Sequence, residues 1–340
     1  MKISYILGVC ALSATVMFGA SSLMQKAKQN GLKPIPNSEF ELLKIIDDPK
    51  DPITEAKVRL GKQLYFDPRL SKSGLISCNT CHNLGLGGVD GVPVAIGNQW
   101  TPNPHHLNSP TVYNSVFFSA QFWDGRSPHL ADQAKGPTLA APEMAATPKF
   151  IEKVVNSIPA YVKEFKYAYG DNVKINFDKI TSTIAIFEKT LVTPSRYDDY
   201  LNGDENALSK AEKEGLKTFI DKGCASCHNG IALGGTMQPF QVAGKYKFAN
   251  VGDFKGDKNG MVKTPTLRNI TETAPYYHNG MVWSLKDAIK MMGSIQLGIK
   301  ISDKDAEKIK TFFKALKGRK PDISYPQLPE STDKTPRPKD

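Results

Sequence analysis

The 340-residue sequence has five cysteines and six histidines, and it lacks three features whose absence narrows the reading. No segment alternates apolar and polar residues over the length of a strand, which argues against a sheet-built fold. There is no dense basic block with interleaved aromatics, so the net charge of +10 is not the footprint of a nucleic-acid binder. The lysines are spread, which fits either a solvated surface or a docking field for an acidic partner. Nor does the chain need a disulfide framework. With 40% hydrophobic residues it is long enough to bury ordinary cores in two domains.

The N-terminus is where uncharged residues concentrate. Met1 and Lys2 precede "ISYILGVCALSATVMFGASS", and Ala20, Ser21 and Ser22 are small. A short positive start, an apolar run and small residues after it read as an export leader over 1–22. The run is nearly long enough to be an uncleaved anchor. Cys10 follows Val9, which is bulky for a lipoprotein site. The expected location is the periplasm.

Export makes the other four cysteines informative. In an oxidising compartment they would suggest two disulfides. Here Cys78 and Cys81 are followed at once by His82, and Cys224 and Cys227 by His228. Cys-x-x-Cys-His marks a haem attached through two thioethers. Twice in similar contexts, it predicts two c-type haems with His82 and His228 as proximal ligands.

The contexts repeat. "KVRLGKQLYFDPRLSKSGLISCNTCHNLGLGG" resembles "KEGLKTFIDKGCASCHNGIALGG". In each, an amphipathic helix leads into the motif and a glycine-rich loop follows, so two similar units are expected, one per haem. In the second copy Ser209 and Glu212 form a capping box, and Gly215, Leu216, Phe219 and Ile220 share a helical face. Helical periodicity marks 148–169 and 178–191, with Asp178 as a cap. Residues 85–110 read as loop. The polar, turn-rich 193–209 is the expected linker. "WSLKDAIKMMG" predicts a helix capped by Ser284 and Asp287 and stopped at Gly293. A further helix carries Ile309, Phe312, Phe313 and Leu316 on one face. The expected fold is mainly α, divided into 1–22, 23–192, 193–325 and a tail at 326–340.

The remaining question is the ligand on the far side of each iron. For the second haem, Met292 stands at the end of a capped helix. Met291 is its competitor, and Met281 and Met237 are less well placed. Methionine with histidine raises a haem's potential and suits electron transfer. Core packing is the alternative for the Met291–Met292 pair. For the first haem, His105, His106, His129 and Met144 are available, and none stands in a context like Met292. The residues thus predict unequal haems, one a relay and one that can be open to a small molecule.

The stretch from about Leu60 to Leu328 resembles the bacterial dihaem cytochrome c peroxidases. The similarity is carried by "FDPRLSKSGLISCNTCHNLGLGGVDG", "NSPTVYNSVF", "QFWDGR", "AAPEM", "GCASCHNG", "LRNITETAPYYHNG" and "VWSLKDAI". The resemblance implies two cytochrome c-like domains. It makes the haem at His82 the low-potential peroxidatic one and the haem at His228, with Met292, the high-potential relay. It further implies that Trp123 lies on the electron route between them, and that Glu143 is the acid–base residue over the peroxidatic iron, joined by Gln133. The implied reactants are hydrogen peroxide and a small cytochrome c or cupredoxin as electron donor. A calcium ion is implied between the domains, with Asn108 as side-chain ligand and Thr273 and Pro275 as carbonyl ligands, and so is a homodimer. Related oxidases of protein substrates carry a tyrosine where this chain has Met292. One departure stands out. Many members have a histidine, which caps the peroxidatic iron at rest, where this chain has Asn98. Either that cap is absent, the reading preferred here, or His105 or His106 replaces it.

Overall fold

The computed structural model describes residues 22–338, so the expected leader, Cys10 included, lies outside the described residues apart from Ser22. Among the described residues no helix is long and apolar enough to cross a membrane. The first part of the chain forms α1 (Ser22–Gln29), α2 (Glu39–Ile46), α3 (Glu55–Phe66), α4 (Cys78–Cys81), α5 (Leu130–Gln133) and α6 (Lys135–Leu139). Next come α7 (Pro148–Asn156), α8 (Pro159–Tyr169), α9 (Phe177–Lys189) and α10 (Arg196–Leu201). The chain ends with α11 (Lys210–Asp221), α12 (Leu285–Leu297) and α13 (Asp303–Phe313). The only sheet among the described residues pairs β1 (Met237–Pro239) antiparallel with β2 (Met261–Lys263). A mainly helical fold is what the missing strand alternation predicted.

Of three apolar clusters among the described residues, the two larger are built alike. The first gathers Leu64, Tyr161, Ile184 and Phe187 around α3, α8 and α9. The second gathers Leu216, Phe219, Ile309 and Phe312 around α11 and α13. Each motif-leading helix crosses its partner at a glycine. A Cβ on Gly61 of α3 would lie 2.2 Å from the Thr183 carbonyl of α9, and one on Gly215 of α11 would lie 2.2 Å from the Lys308 carbonyl of α13. Backbones this close leave room for no side chain. The likeness continues beyond the helices. Asn114 and Asn269 both adopt left-handed backbone angles, and the side-chain amides of both donate to Thr193 Oγ1, at 2.7 and 2.9 Å.

The structure departs from the expected segmentation in four places. Residues 193–209 are not a linker. α10 lies within them, and Tyr197, Asp198 and Tyr200 are fully buried. The reason is a charge pair that no local pattern reveals: Arg268 donates to Asp198 at 2.7 and 2.9 Å, with both side chains wholly buried. Asp198 also accepts from Ser195 and from the Ile35 backbone. The helix expected over 148–169 is two, broken before Pro159, whose ring cannot continue a helix. Asn176, not Asp178, caps α9. And α12 runs through Gly293 to Leu297, ending at Gly298, so Met292 sits inside the helix.

The ends of the chain also cross over. Met24, Ala27 and Leu32 pack into the second core, while Ile323 and Leu328 pack against the first. Arg69 donates to the Pro329 carbonyl at 2.7 Å, and Thr332 donates to the Ser157 carbonyl at 2.9 Å. The tail therefore wraps around the first core and the N-terminal helix joins the second, unlike the division at 23 and 326.

Losing one partner of a buried ion pair leaves an uncompensated charge, which costs about 3–5 kcal/mol. Asp198→Asn is accordingly expected to lower the free energy of unfolding by about that amount. Urea titration followed by tryptophan fluorescence measures it, and a loss below about 1 kcal/mol, the range of an exposed pair, would contradict it.

Candidate functional site

Both motifs present their histidines in the same way. The turn α4 is capped by Ser77, which shares a capping box with Thr80, and His82 follows as its C-cap. His82 Nδ1 lies 2.8 Å from the Pro110 carbonyl. A carbonyl can only accept, so Nδ1 carries the proton and Nε2 is left to bind metal. Tyr65 donates its hydroxyl to the His82 backbone carbonyl at 2.6 Å and fixes the turn from α3. In the second motif His228 Nδ1 lies 3.2 Å from the Leu233 carbonyl, with the same consequence. Burial lowers both histidine pKa values, that of His228 to about 4, which keeps the imidazoles neutral as metal ligands need. Cys78, Cys81, Cys224 and Cys227 form no disulfide. Cys81 lines one cavity and Cys224 and Cys227 another, while Cys78 packs against the first core.

The first cavity, about 120 Å³, is lined by Cys81, His82, Gln133, Glu143 and Arg126. The sequence separates His82 from Glu143 by sixty-one residues, and the fold brings them to one space. α5 places Gln133 there, and His129 caps that helix by accepting from the Asp132 backbone at 3.2 Å, a structural duty. Met144 is buried in the first core and does not line the cavity. Glu143 is half-buried. Burial raises its pKa above the usual carboxylate range, while Arg126 and His105 pull the other way.

The second cavity, about 190 Å³, is lined by Cys224, Cys227, His228 and Met292. Leu285, Ala288, Ile289, Met292 and Gln296 fall on one face of α12 at helical spacing, and that face is the cavity wall. Met291 and Met292 both pack against the cluster of Tyr246, Tyr276, Val282 and Ile295, but Met291 does not line the cavity, and neither Met281 nor Met237 reaches it. The walls are overwhelmingly apolar, as the pocket of a large planar ligand should be.

Trp123 lines both cavities and donates its indole N–H to the Asn108 carbonyl at 2.9 Å. Asn108 lines both as well, and its backbone N–H donates to the His278 carbonyl at 2.8 Å. Thr273 and Pro275 line the second cavity with it. Among the described residues no cluster of histidine, cysteine or carboxylate groups is arranged to hold a metal ion, so a cation at Asn108 would rely on carbonyl oxygens.

Several residues escaped sequence reasoning. His278 occupies in "YYHNG" the place of Trp123 in "QFWDGR". The turns match, with left-handed Phe122 and Tyr277 and bridges between Gln121 and Ser127 and between Tyr276 and Val282. The two rings meet edge to face with centroids 6.3 Å apart. The repeat was the signal that could have found it. Lys263 lines both cavities at 4% exposure, and burial lowers its pKa to about 7 against the opposing pull of Asp124. Glu188 lines the first cavity and is buried too.

None of Asn98, His105 and His106 lines the His82 cavity. Asn98 begins a short turn, Asn98–Trp100. His105 points outward, more than half exposed, with Nδ1 2.8 Å from Asp253. His106 keeps Nε2 buried and unpartnered, away from the cavity.

The chain is similar to known proteins over most of its length. The di-haem cytochrome c peroxidase family matches residues 55–206. The cytochrome c551 peroxidase of Pseudomonas aeruginosa is 45% identical over 98% of this chain and 97% of its own. That of Nitrosomonas europaea is 46% identical over 82% of this chain and 85% of its own. A solved MauG-like protein associated with microbial copper homeostasis superposes with a TM-score of 0.70 at 26% identity, covering 80% of this chain and 92% of that one.

Proposed function

The chain belongs to the di-haem cytochrome c peroxidase family, and we propose that it reduces hydrogen peroxide to water with electrons from a small cytochrome c or cupredoxin. The observation that carries this reading is the pairing of unlike cavities. His82 shares one with the polar Glu143 and Gln133, His228 shares the other with Met292, and Trp123 borders both.

The residues present fit two covalent haems. Cys78 and Cys81 would hold the first with His82 on the iron, and Cys224 and Cys227 the second with His228 and Met292. When bound, the groups supply iron that accepts and passes single electrons and binds peroxide at an open position.

The chain's own residues do the rest. Reduction of peroxide consumes two electrons and two protons and yields two waters. Before the O–O bond breaks, one oxygen must lose its proton and the other gain one. Glu143, as carboxylate, takes the proton from the first oxygen and returns it to the second. The Gln133 amide can donate to one oxygen and accept from the other, holding peroxide in line. Apolar walls and Met292 would exclude water and peroxide from a group held at His228, leaving the His82 cavity, with Glu143 and Gln133, as the place where peroxide is handled. Trp123 offers the bridging ring between them.

Met292 at the tyrosine position of the related protein-oxidising group favours the peroxidase reading. We extend the proposal to calcium held by Asn108, Thr273 and Pro275, to a homodimer, and to export to the periplasm. Asn108 in the wall of both cavities, with Thr273 and Pro275 in the wall of the second, supports the first, and the leader-like residues 1–22 support the last.

The test is peroxide-dependent oxidation of a reduced small cytochrome c. A mere electron carrier would show none. The pH profile adds a second check. Glu143 must be ionised to accept the first proton, and burial raises its pKa. Activity is therefore expected to be full above that pKa and to fall as pH drops through it, at a pH higher than for an ordinary carboxylate. An acid limb at an ordinary carboxylate pKa, or one unchanged in Glu143→Asp, would contradict this role.

A further inference from the structure

Peroxide chemistry at the first cavity uses Glu143 and leaves a second carboxyl group unexplained. Glu188 stands on the buried stripe of α9 with Phe177, Thr181 and Ile184, where an apolar residue is expected. It is 5% exposed, lines the His82 cavity, and its Oε2 has no hydrogen-bond partner. A second orphan lies in the same wall: Ser115 Oγ, 4% exposed at the residue level and also unpartnered. Buried polar groups without partners are costly, so two in the wall of one cavity call for a function.

From these two groups we infer that Glu188 is the proton-binding site of the peroxidatic cavity: where it is ionised, it takes up one proton from solvent as the first haem takes up one electron. The balance is simple. One electron arrives from the donor, one proton joins the carboxylate, and the net charge of the cavity does not change. A bare carboxylate in a dry cavity would repel the electron, and protonation removes that repulsion.

The surroundings suit the role. The titratable groups facing Glu188 are Tyr65 of α3 and Cys78 of α4, neither a cation. Arg126, Glu143, His82 and Lys263 line other parts of the cavity. Burial alone raises the Glu188 pKa, to about 8. The group is thus a neutral acid at pH 7 and ionises within reach of physiological conditions. It differs from Glu143, which shuttles a proton between peroxide oxygens and needs no net uptake.

The inference rests on a haem being held at Cys78, Cys81 and His82, which the absorption spectrum of each variant reports separately. The experiment is a spectroelectrochemical titration of the first haem in the holoprotein from pH 6.5 to 9.5. In the wild type the midpoint potential is expected to be flat at low pH and to fall with rising pH above about pH 8. The limiting slope for one proton per electron is about 59 mV per pH unit. In Glu188→Gln, an amide that mimics the neutral acid, the slope is lost and the potential stays at its low-pH value. In Glu188→Asp, which also covers a failure of the glutamine variant to fold, the slope returns with a shifted onset. The oxidised-minus-reduced infrared spectrum above pH 8 should gain a carboxylic-acid C=O band on reduction, absent in Glu188→Gln. An unchanged slope in Glu188→Gln, or a wild-type potential independent of pH, would overturn the inference. Haem loss at the first site in the wild type would instead overturn the peroxidase reading.

Discussion

Glu143→Gln is expected to lower peroxide turnover by about 10²–10⁴-fold, the usual contribution of a positioned acid–base group. The amide keeps the size of the side chain and its place in the His82 cavity, but it cannot take a proton and give it back. The loss should fall on kcat and kcat/KM for peroxide together, because the interaction is made in the transition state. Reduction of the second haem by the donor should be unaffected, since Glu143 does not line that cavity. Stopped-flow mixing with peroxide measures the first quantity, and anaerobic mixing with reduced donor measures the second. A variant within a few-fold of wild type would move the acid–base role elsewhere in the cavity, with Glu188 the next carboxyl.

Met292→His is expected to have the second large effect, on potential. Axial ligands set haem potentials over a range of about 0.8 V, with methionine at the high end. Exchange for histidine should lower the second haem's midpoint by a few tenths of a volt. A drop of about 0.2 V disfavours electron entry by more than about 10³-fold in equilibrium, at 59 mV per tenfold. Donor-driven turnover then fails, while a chemically reduced protein still consumes peroxide at the first site. Met291→Leu is the control, because its side chain lies off the cavity face. If the Met291 variant moved the potential and the Met292 variant did not, the assignment on α12 would be wrong.

The chemistry-bearing residues were legible in proportion to how local their signals are. The two Cys-x-x-Cys-His motifs are contiguous and need no fold to be read. The Ser209–Glu212 capping box and the buried face of α11 are local patterns, and both are found as expected. α10 was illegible because proline, asparagine, glycine and aspartate near it are also turn formers. What turns "RYDDYL" into core is Arg268, seventy residues on. Gly293 read as a stop because glycine commonly ends helices, but here it lies against Ile301, where small size is the requirement. Helical phase alone does not separate a ligand role for Met292 from core packing, because the cavity wall it shares with His228 is built from segments far apart in the chain. Glu188 could have been flagged from sequence, as a carboxylate on an otherwise apolar stripe, whereas the burial of Lys263 depends on segments far apart in the chain.

We propose that the two sites are unequal, the first open and the second closed by Met292. Asn98, where the resemblance implies a capping histidine in many members, does not line the His82 cavity, and neither do His105 and His106. The most direct test is the electron paramagnetic resonance spectrum of the fully oxidised protein at low temperature. The predicted result is one high-spin ferric signal from the haem at His82 beside one low-spin signal from the haem at His228, with peroxide turnover that needs no prior reduction. Two low-spin signals, and no turnover until the second haem is reduced, would contradict it.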